Sequence, residues 1–189
     1  MRRAVLLGMM SLALAACGDG GVLGQIERAE AKRAAQTKEI AGKSQKFLEE
    51  NSGKPGVRVT STGLQYSVTR AVEDNLPRPQ LGDQVLVNYE GKLVDGTKFD
   101  SSYDRGQPVP FTLGEVIPGW NEGVQLMKPG EEYQFVIPAE IGYGAQGNPP
   151  DIPPNAALVF RVELLMFQQK DGTIVRPPGV PAPPAPTKK

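Results

Sequence analysis

Apolar and polar residues alternate along much of this chain with a period of two, the pattern of strands buried on one face. Leu64-Gln65-Tyr66-Ser67-Val68 and Val85-Leu86-Val87-Asn88-Tyr89 show it first. Glu132-Tyr133-Gln134-Phe135-Val136-Ile137 follows, then the long run Ala157 to Phe167, with Leu158, Phe160, Val162 and Leu164 on one side. Asp95-Gly96 stands between Lys92-Leu93-Val94 and Thr97-Lys98-Phe99. That is a hairpin signal, because a tight turn needs the positive φ that glycine supplies. One short stretch changes period. Trp120, Val124 and Met127 fall at i, i+4 and i+7, between Pro118-Gly119 and Pro129-Gly130, which predicts a short helix. Together these elements predict an α+β domain over residues 57–168, an antiparallel sheet with one helix on its apolar face.

The pattern differs at both ends of that domain. Gln25 to Glu50 is rich in Ala, Glu, Lys and Gln and has no proline, so it predicts a helix of about 40 Å. Its apolar positions Ile26, Ala29, Ile40, Phe47 and Leu48 hold no heptad, which does not support a strong coiled coil. Two readings of this arm stay open: a solvated spacer, which sparse apolar residues favour, and a dimerisation arm through residues 25–50. Asn51 to Gly56 closes it with a glycine and a following proline. The segment 25–56 is therefore arm and linker. The tail, 169–189, holds six prolines between Arg176 and Lys189. Such a segment is expected to be polyproline II or disordered.

Composition removes whole classes of chemistry. The chain has no histidine and one cysteine. No Ser-His or Cys-His dyad can form, and a Cys/His zinc site has no ligands. Lys+Arg and Asp+Glu are both 21, so the basic footprint of a nucleic-acid binder is missing.

The leader adds an address. Met1-Arg2-Arg3 is a basic start, and the apolar run Ala4 to Leu14 is too short to span a bilayer as a helix. Leu14-Ala15-Ala16-Cys17 follows and resembles the lipobox of bacterial lipoproteins. The expectation is a signal peptide over residues 1–16, lipidation at Cys17, and a Gly-rich tether over 17–24. Gly18 replaces the aspartate that resembles an inner-membrane retention signal. The expected location is the cell envelope, on the outer membrane or its periplasmic face.

Five blocks then carry a family resemblance. They are Val87-Asn88-Tyr89-Glu90-Gly91 with Asp95-Gly96-Thr97-Lys98-Phe99-Asp100-Ser101-Ser102; Val116-Ile117-Pro118-Gly119-Trp120 with Glu122-Gly123; Ile141-Gly142-Tyr143-Gly144; Ile152-Pro153-Pro154-Asn155; and Leu158 to Leu164. In this order and spacing they resemble the FKBP-type peptidyl-prolyl cis-trans isomerases over roughly 110 residues. The leader Thr62-Gly63-Leu64-Gln65-Tyr66 is similar to that of the macrophage-infectivity-potentiator branch.

The resemblance implies a twisted antiparallel sheet wrapped around one short helix. It also implies rotation about X-Pro bonds of exported proteins, with no cofactor and no metal. Its partners would be unfolded or Pro-containing exported polypeptides, together with rapamycin-type macrolides. It implies a pocket with Trp120 as floor and Tyr89, Phe99, Phe111 and Phe160 as walls. Val116 and Ile117 would close one side, with the Ile117 N–H offering a hydrogen bond. Tyr143 and Asp100 would supply polar contacts, Arg105 and Tyr89 would hold Asp100, and Ile152 would cap the rim. Val109 and Asn148 depart from common family residues at that rim, which bears on substrate preference and macrolide affinity. Read by position alone, the aromatic residues are ordinary core. The alternative function is an FKBP-like chaperone or binding module with little isomerase activity.

Overall fold

The computed structural model describes residues 22–73 and 75–179. The signal segment, Cys17, the first residues of the tether and the tail from 180 onward lie outside them. Helix α1 runs Val22–Ser52, three residues earlier and two later than composition predicts. The chain divides into two compact units, Met1–Ala35 and Gln36–Lys189, and the boundary falls inside α1. In the first unit the described residues are the opening turns of the helix, where Val22, Leu23 and Ile26 are exposed.

The second unit is an antiparallel sheet of eight strands carrying one short α-helix. Its elements are β1 Arg58–Val59, β2 Gln65–Arg70, β3 Gln84–Leu93, β4 Lys98–Ser101, β5 Val109–Thr112, α2 Pro118–Val124, β6 Glu132–Ile137, β7 Leu158–Gln168 and β8 Ile174–Val175. The order across the sheet is β1-β2-β6-β7-β3-β4. The long strands β3 and β7 pair at its centre, Val85 opposite Phe167 and Leu93 opposite Leu158. The period-two reading holds on both. Val85, Val87 and Tyr89 of β3 are buried, as are Leu158, Phe160, Val162 and Leu164 of β7. An irregularity opposite Leu86 and Val87 inserts Leu165 into β7. Past it the inward face shifts by one residue, and Phe167 is buried.

The outer edge of β3 is shared end to end. Its second half pairs with β4, Gly91 opposite Asp100, and its first half with β5, Val85 opposite Phe111. Between them the chain leaves the edge at Ser101 and returns at Val109. Arg105 sits on that excursion.

Helix α2 lies close on the sheet because it has glycine where the two meet. A Cβ on Gly119 would stand 2.5 Å from Ile137, and one on Gly123 would stand 2.8 Å from the Phe135 ring. Pro118 starts the helix as the pattern predicts, but the helix ends at Val124, short of the expected Met127. Met127 is fully buried but belongs to the turn beyond the helix.

The structure extends the domain at both ends. Residues 36–52 of α1 belong to the same compact unit as the sheet, so this half of the arm is not a solvated spacer. The Ala157 N–H donates to Ser44 Oγ at 2.9 Å, and the Asn51 amide donates to Gln65 Oε1 at 2.9 Å. Ser44 and Asn51 are both buried. Ile40 also packs against the core, but the apolar positions of the arm are too sparse to mark a docked face, and the polar contacts leave no mark in apolar periodicity. At the other end, β8 pairs with the last residues of β7, Phe167 opposite Val175. The ordered domain therefore runs beyond 168, and residues 174–175 are strand rather than disordered tail.

Candidate active site

The sheet, α2 and two loops enclose a cleft of about 490 Å³. Tyr89 comes from β3, Phe99 and Asp100 from β4, Phe111 from β5 and Phe160 from β7. Glu115, Val116 and Ile117 come from the loop before α2, and Trp120 from its first turn. Tyr143, Asn148, Asp151 and Ile152 come from the segment between β6 and β7. The cleft residues expected from the sequence are in this lining except Arg105, which acts from behind Asp100, and Val109, which was expected at the rim and packs against the core instead. Glu115 and Asp151 line it as well; nothing in the pattern of the chain singled them out.

Trp120 is only 4% exposed and forms the floor. Three aromatic rings approach it on edge: Tyr89 at 5.4 Å, Phe111 at 5.3 Å and Phe160 at 5.3 Å between centroids. Edge contacts suit the ring quadrupoles and lock the indole in one orientation. Phe99 meets Phe160 edge-on at 5.5 Å. Between these two rings lies Gly91, where a Cβ would come within 2.7 Å of both. This glycine near the end of β3 is what lets two walls of the cleft close over the sheet.

One wall holds a charged network. The Tyr89 hydroxyl donates to one carboxylate oxygen of Asp100, and the Arg105 guanidinium donates to the other. Arg105 also donates to the Tyr89 hydroxyl at 2.9 Å and lies over its ring. Burial pushes the Asp100 carboxyl up, but the hydrogen bonds from Tyr89 and Arg105 outweigh it and hold the group below its ordinary value. The Tyr89 phenol is pushed up to about 12 by burial and by its bond to Asp100. The network is thus one anion, one cation and one neutral phenol at any ordinary pH. Burial, with the Asp100 charge behind it, also raises the Tyr143 phenol.

The opposite wall is fixed by a residue that the sequence reading missed. The Asn121 side chain accepts from the Gly114 N–H at 2.7 Å and donates to the Val116 carbonyl at 2.7 Å. One amide therefore pins the loop bearing Glu115, Val116 and Ile117. The signal for it was weak: an Asn in the first turn of a helix, one residue past Trp120. The rim beside Tyr143 is closed by a small hairpin. Asn148 and Ile152 exchange two backbone hydrogen bonds, at 2.7 and 3.0 Å. Ile152 is buried at 3% exposure, so it is wall more than cap.

Free donors remain at the cleft, among them two on residues expected at the site. Among the described residues, neither the Tyr143 hydroxyl nor the Ile117 N–H has a hydrogen-bond partner. An aromatic floor, apolar walls and two unpaired donors are suited to a small apolar ring attached to carbonyl groups.

Residues 76–165 match the FKBP-type peptidyl-prolyl cis-trans isomerase family model. Residues 15–68 match the model of the domain amino-terminal to it. The crystal structure of FkpA from Escherichia coli superposes with a TM-score of 0.70 at 42% identity, over 77% of this chain and 69% of that one. The chain belongs to the FKBP-type peptidyl-prolyl cis-trans isomerase family. A peptidyl-prolyl isomerase from Pseudomonas syringae aligns with a TM-score of 0.64 at 34% identity, over 70% of this chain and 96% of that one. Among curated relatives, the isomerase Mip of Coxiella burnetii is 48% identical over 130 residues, 69% of this chain and 56% of that protein. The 22 kDa FKBP-type isomerase of Escherichia coli is 46% identical over 139 residues, 74% of this chain and 66% of that protein. The chain thus spans between about half and two thirds of the length of these two curated relatives.

Proposed function

We propose that this FKBP-family chain is a peptidyl-prolyl cis-trans isomerase that acts on X-Pro bonds of exported polypeptides, held at the cell envelope by acylated Cys17. The observation that carries the reading is the pairing of the Trp120 floor with the two unpaired donors, Tyr143 Oη and Ile117 N. The barrier to amide rotation is roughly 18–20 kcal/mol and comes from resonance that places charge on the carbonyl oxygen. Water stabilises that charge, and an apolar cleft does not. The twisted amide has lost the resonance, is less dipolar and loses less on leaving water. A cleft of aromatic rings therefore binds the twisted form better than the planar one.

Each residue then has a task. The proline ring stacks on Trp120 between Tyr89, Phe99, Phe111 and Phe160. The Ile117 N–H and the Tyr143 hydroxyl donate to substrate carbonyls and stop the peptide turning with the bond. Arg105 and Asp100 keep the Tyr89 ring in place. No bond is broken, so the missing histidine and thiol cost the reaction nothing. Shortening tens of seconds to tens of milliseconds takes about 4 kcal/mol. Differential desolvation and two hydrogen bonds are of that size.

A rapamycin-type macrolide, which presents an apolar ring beside carbonyls, tests the cleft. Trp120 is the single tryptophan, so its fluorescence reports occupancy of the floor. Titration should change that fluorescence and should abolish turnover of an X-Pro peptide with the same midpoint. Binding without turnover in the drug-free protein would point to the chaperone reading instead.

A further inference from the structure

The rotation uses the floor and walls of the cleft and leaves two charges at its mouth without a task. No residue lining the cleft is Lys or Arg. Asp100 is neutralised by its ion pair with Arg105. Glu115 and Asp151 are not: both are exposed, and neither carboxylate has an ion pair or a side-chain hydrogen bond among the described residues. The cleft therefore carries two uncompensated negative charges.

These carboxylates stand on fixed backbone. Glu115 lies between Gly114 and Val116, the two residues that the Asn121 amide ties together. Asp151 sits in the hairpin that Asn148 and Ile152 close with two backbone hydrogen bonds. Each is next to a residue that forms a wall: Glu115 precedes Val116, and Asp151 precedes buried Ile152. Both line the same cleft as Trp120, so a peptide with its proline on that floor shares the cleft with both carboxylates. The field they make is held in place before any substrate arrives, and a side chain entering it is sorted by charge.

We propose that Glu115 and Asp151 make this cleft select X-Pro segments that carry Lys or Arg directly beside the proline. The proposal rests on the isomerase reading and assigns its substrate class. A lysine at either neighbouring position gains two screened attractions there, and a glutamate meets two repulsions. Exposed pairs are individually weak, so the expected preference for Lys over Glu is about three- to tenfold in kcat/KM.

The test measures the full chain by exchange NMR on short proline peptides with Lys, Leu or Glu directly before or directly after the proline. At low salt, Lys should exceed Glu by about three- to tenfold on at least one side, with Leu between them. In 1 M NaCl the Debye length falls to about 3 Å, and the ratio should fall toward one. The double variant E115Q/D151N should lose the ratio at low salt; the salt series on the unaltered protein stands independently of how that variant folds. Equal turnover of Lys and Glu peptides on both sides would overturn the proposal. So would a preference that survives both salt and the double variant. Failure to turn over even the Leu peptides would remove the isomerase reading, and this proposal with it.

Discussion

Asp100 shows how burial and pairing compete at one side chain. Burial alone would raise its carboxyl, yet the bonds from Tyr89 and Arg105 hold it below the ordinary value. A carboxyl lowered in the folded state adds stability that is fully present above the unfolded value, about 3.9, and is lost as pH falls through the lower native value. Tyr89 behaves in the opposite sense. Its phenol is raised to about 12, so its contribution is intact below the unfolded value of about 10 and fades as pH rises through the native one. The expected outcome is a stability gap between the native protein and Asp100→Asn that stays constant from about pH 5 to pH 9 and shrinks in stronger acid. Thermal melts of both proteins across that range check it. A gap that changes near neutrality would mean that the network is not the fixed anion–cation–phenol set described above.

At the scale of elements, the cleft depends on how tightly α2 and its leading loop are held. Asn121 ties Gly114 to Val116 with two bonds of 2.7 Å. Asn121→Ala frees the backbone that presents the Ile117 N–H. Each lost hydrogen bond is worth about 0.5–1.5 kcal/mol, so kcat/KM on an X-Pro peptide should fall by about three- to tenfold, mainly through KM. Steady-state kinetics and a melting curve together separate this from loss of fold. Elements marked by alternation were legible in the sequence: β2, β3, β6 and β7 lie where the pattern put them, and Trp120 and Val124 mark α2. Short elements were legible only where a turn marked them. The Asp95-Gly96 hairpin signal foretold β4, which pairs with β3 across that turn, whereas β5, four residues long, takes its place from the shared edge of β3, which no local pattern encodes. Nor could the docking of residues 36–52 be read. Ile40 packs on the core there without a periodic pattern to mark it, and Ser44 and Asn51 are polar side chains that look solvated until Ala157 and Gln65 are seen beside them.

At the scale of the molecule, the sequence supplied the family through five motif blocks. The structure shows those blocks meeting at one cleft. The charged mouth escaped because Glu115 and Asp151 are ordinary surface residues in a linear reading, and only the fold sets them on one opening. The proposed anchor belongs to this scale too. Acylation at Cys17 would hold the chain at a membrane with more than one acyl chain, where a single chain gives only marginal binding. Cys17→Ser should move the expressed protein from the detergent-rich to the aqueous phase of a Triton X-114 partition. An unchanged distribution would contradict anchoring at this residue.

The central claim is that the Trp120 cleft speeds rotation of X-Pro bonds. Its most direct measurement is the isomerisation rate of a short X-Pro peptide with the full chain and with Trp120→Leu. That substitution removes the floor and the three ring contacts that orient it. The account predicts clear acceleration by the native protein and a fall of at least about tenfold in kcat/KM for the variant, with circular dichroism unchanged. No acceleration by a native protein shown to be folded, or full activity in Trp120→Leu, would contradict it.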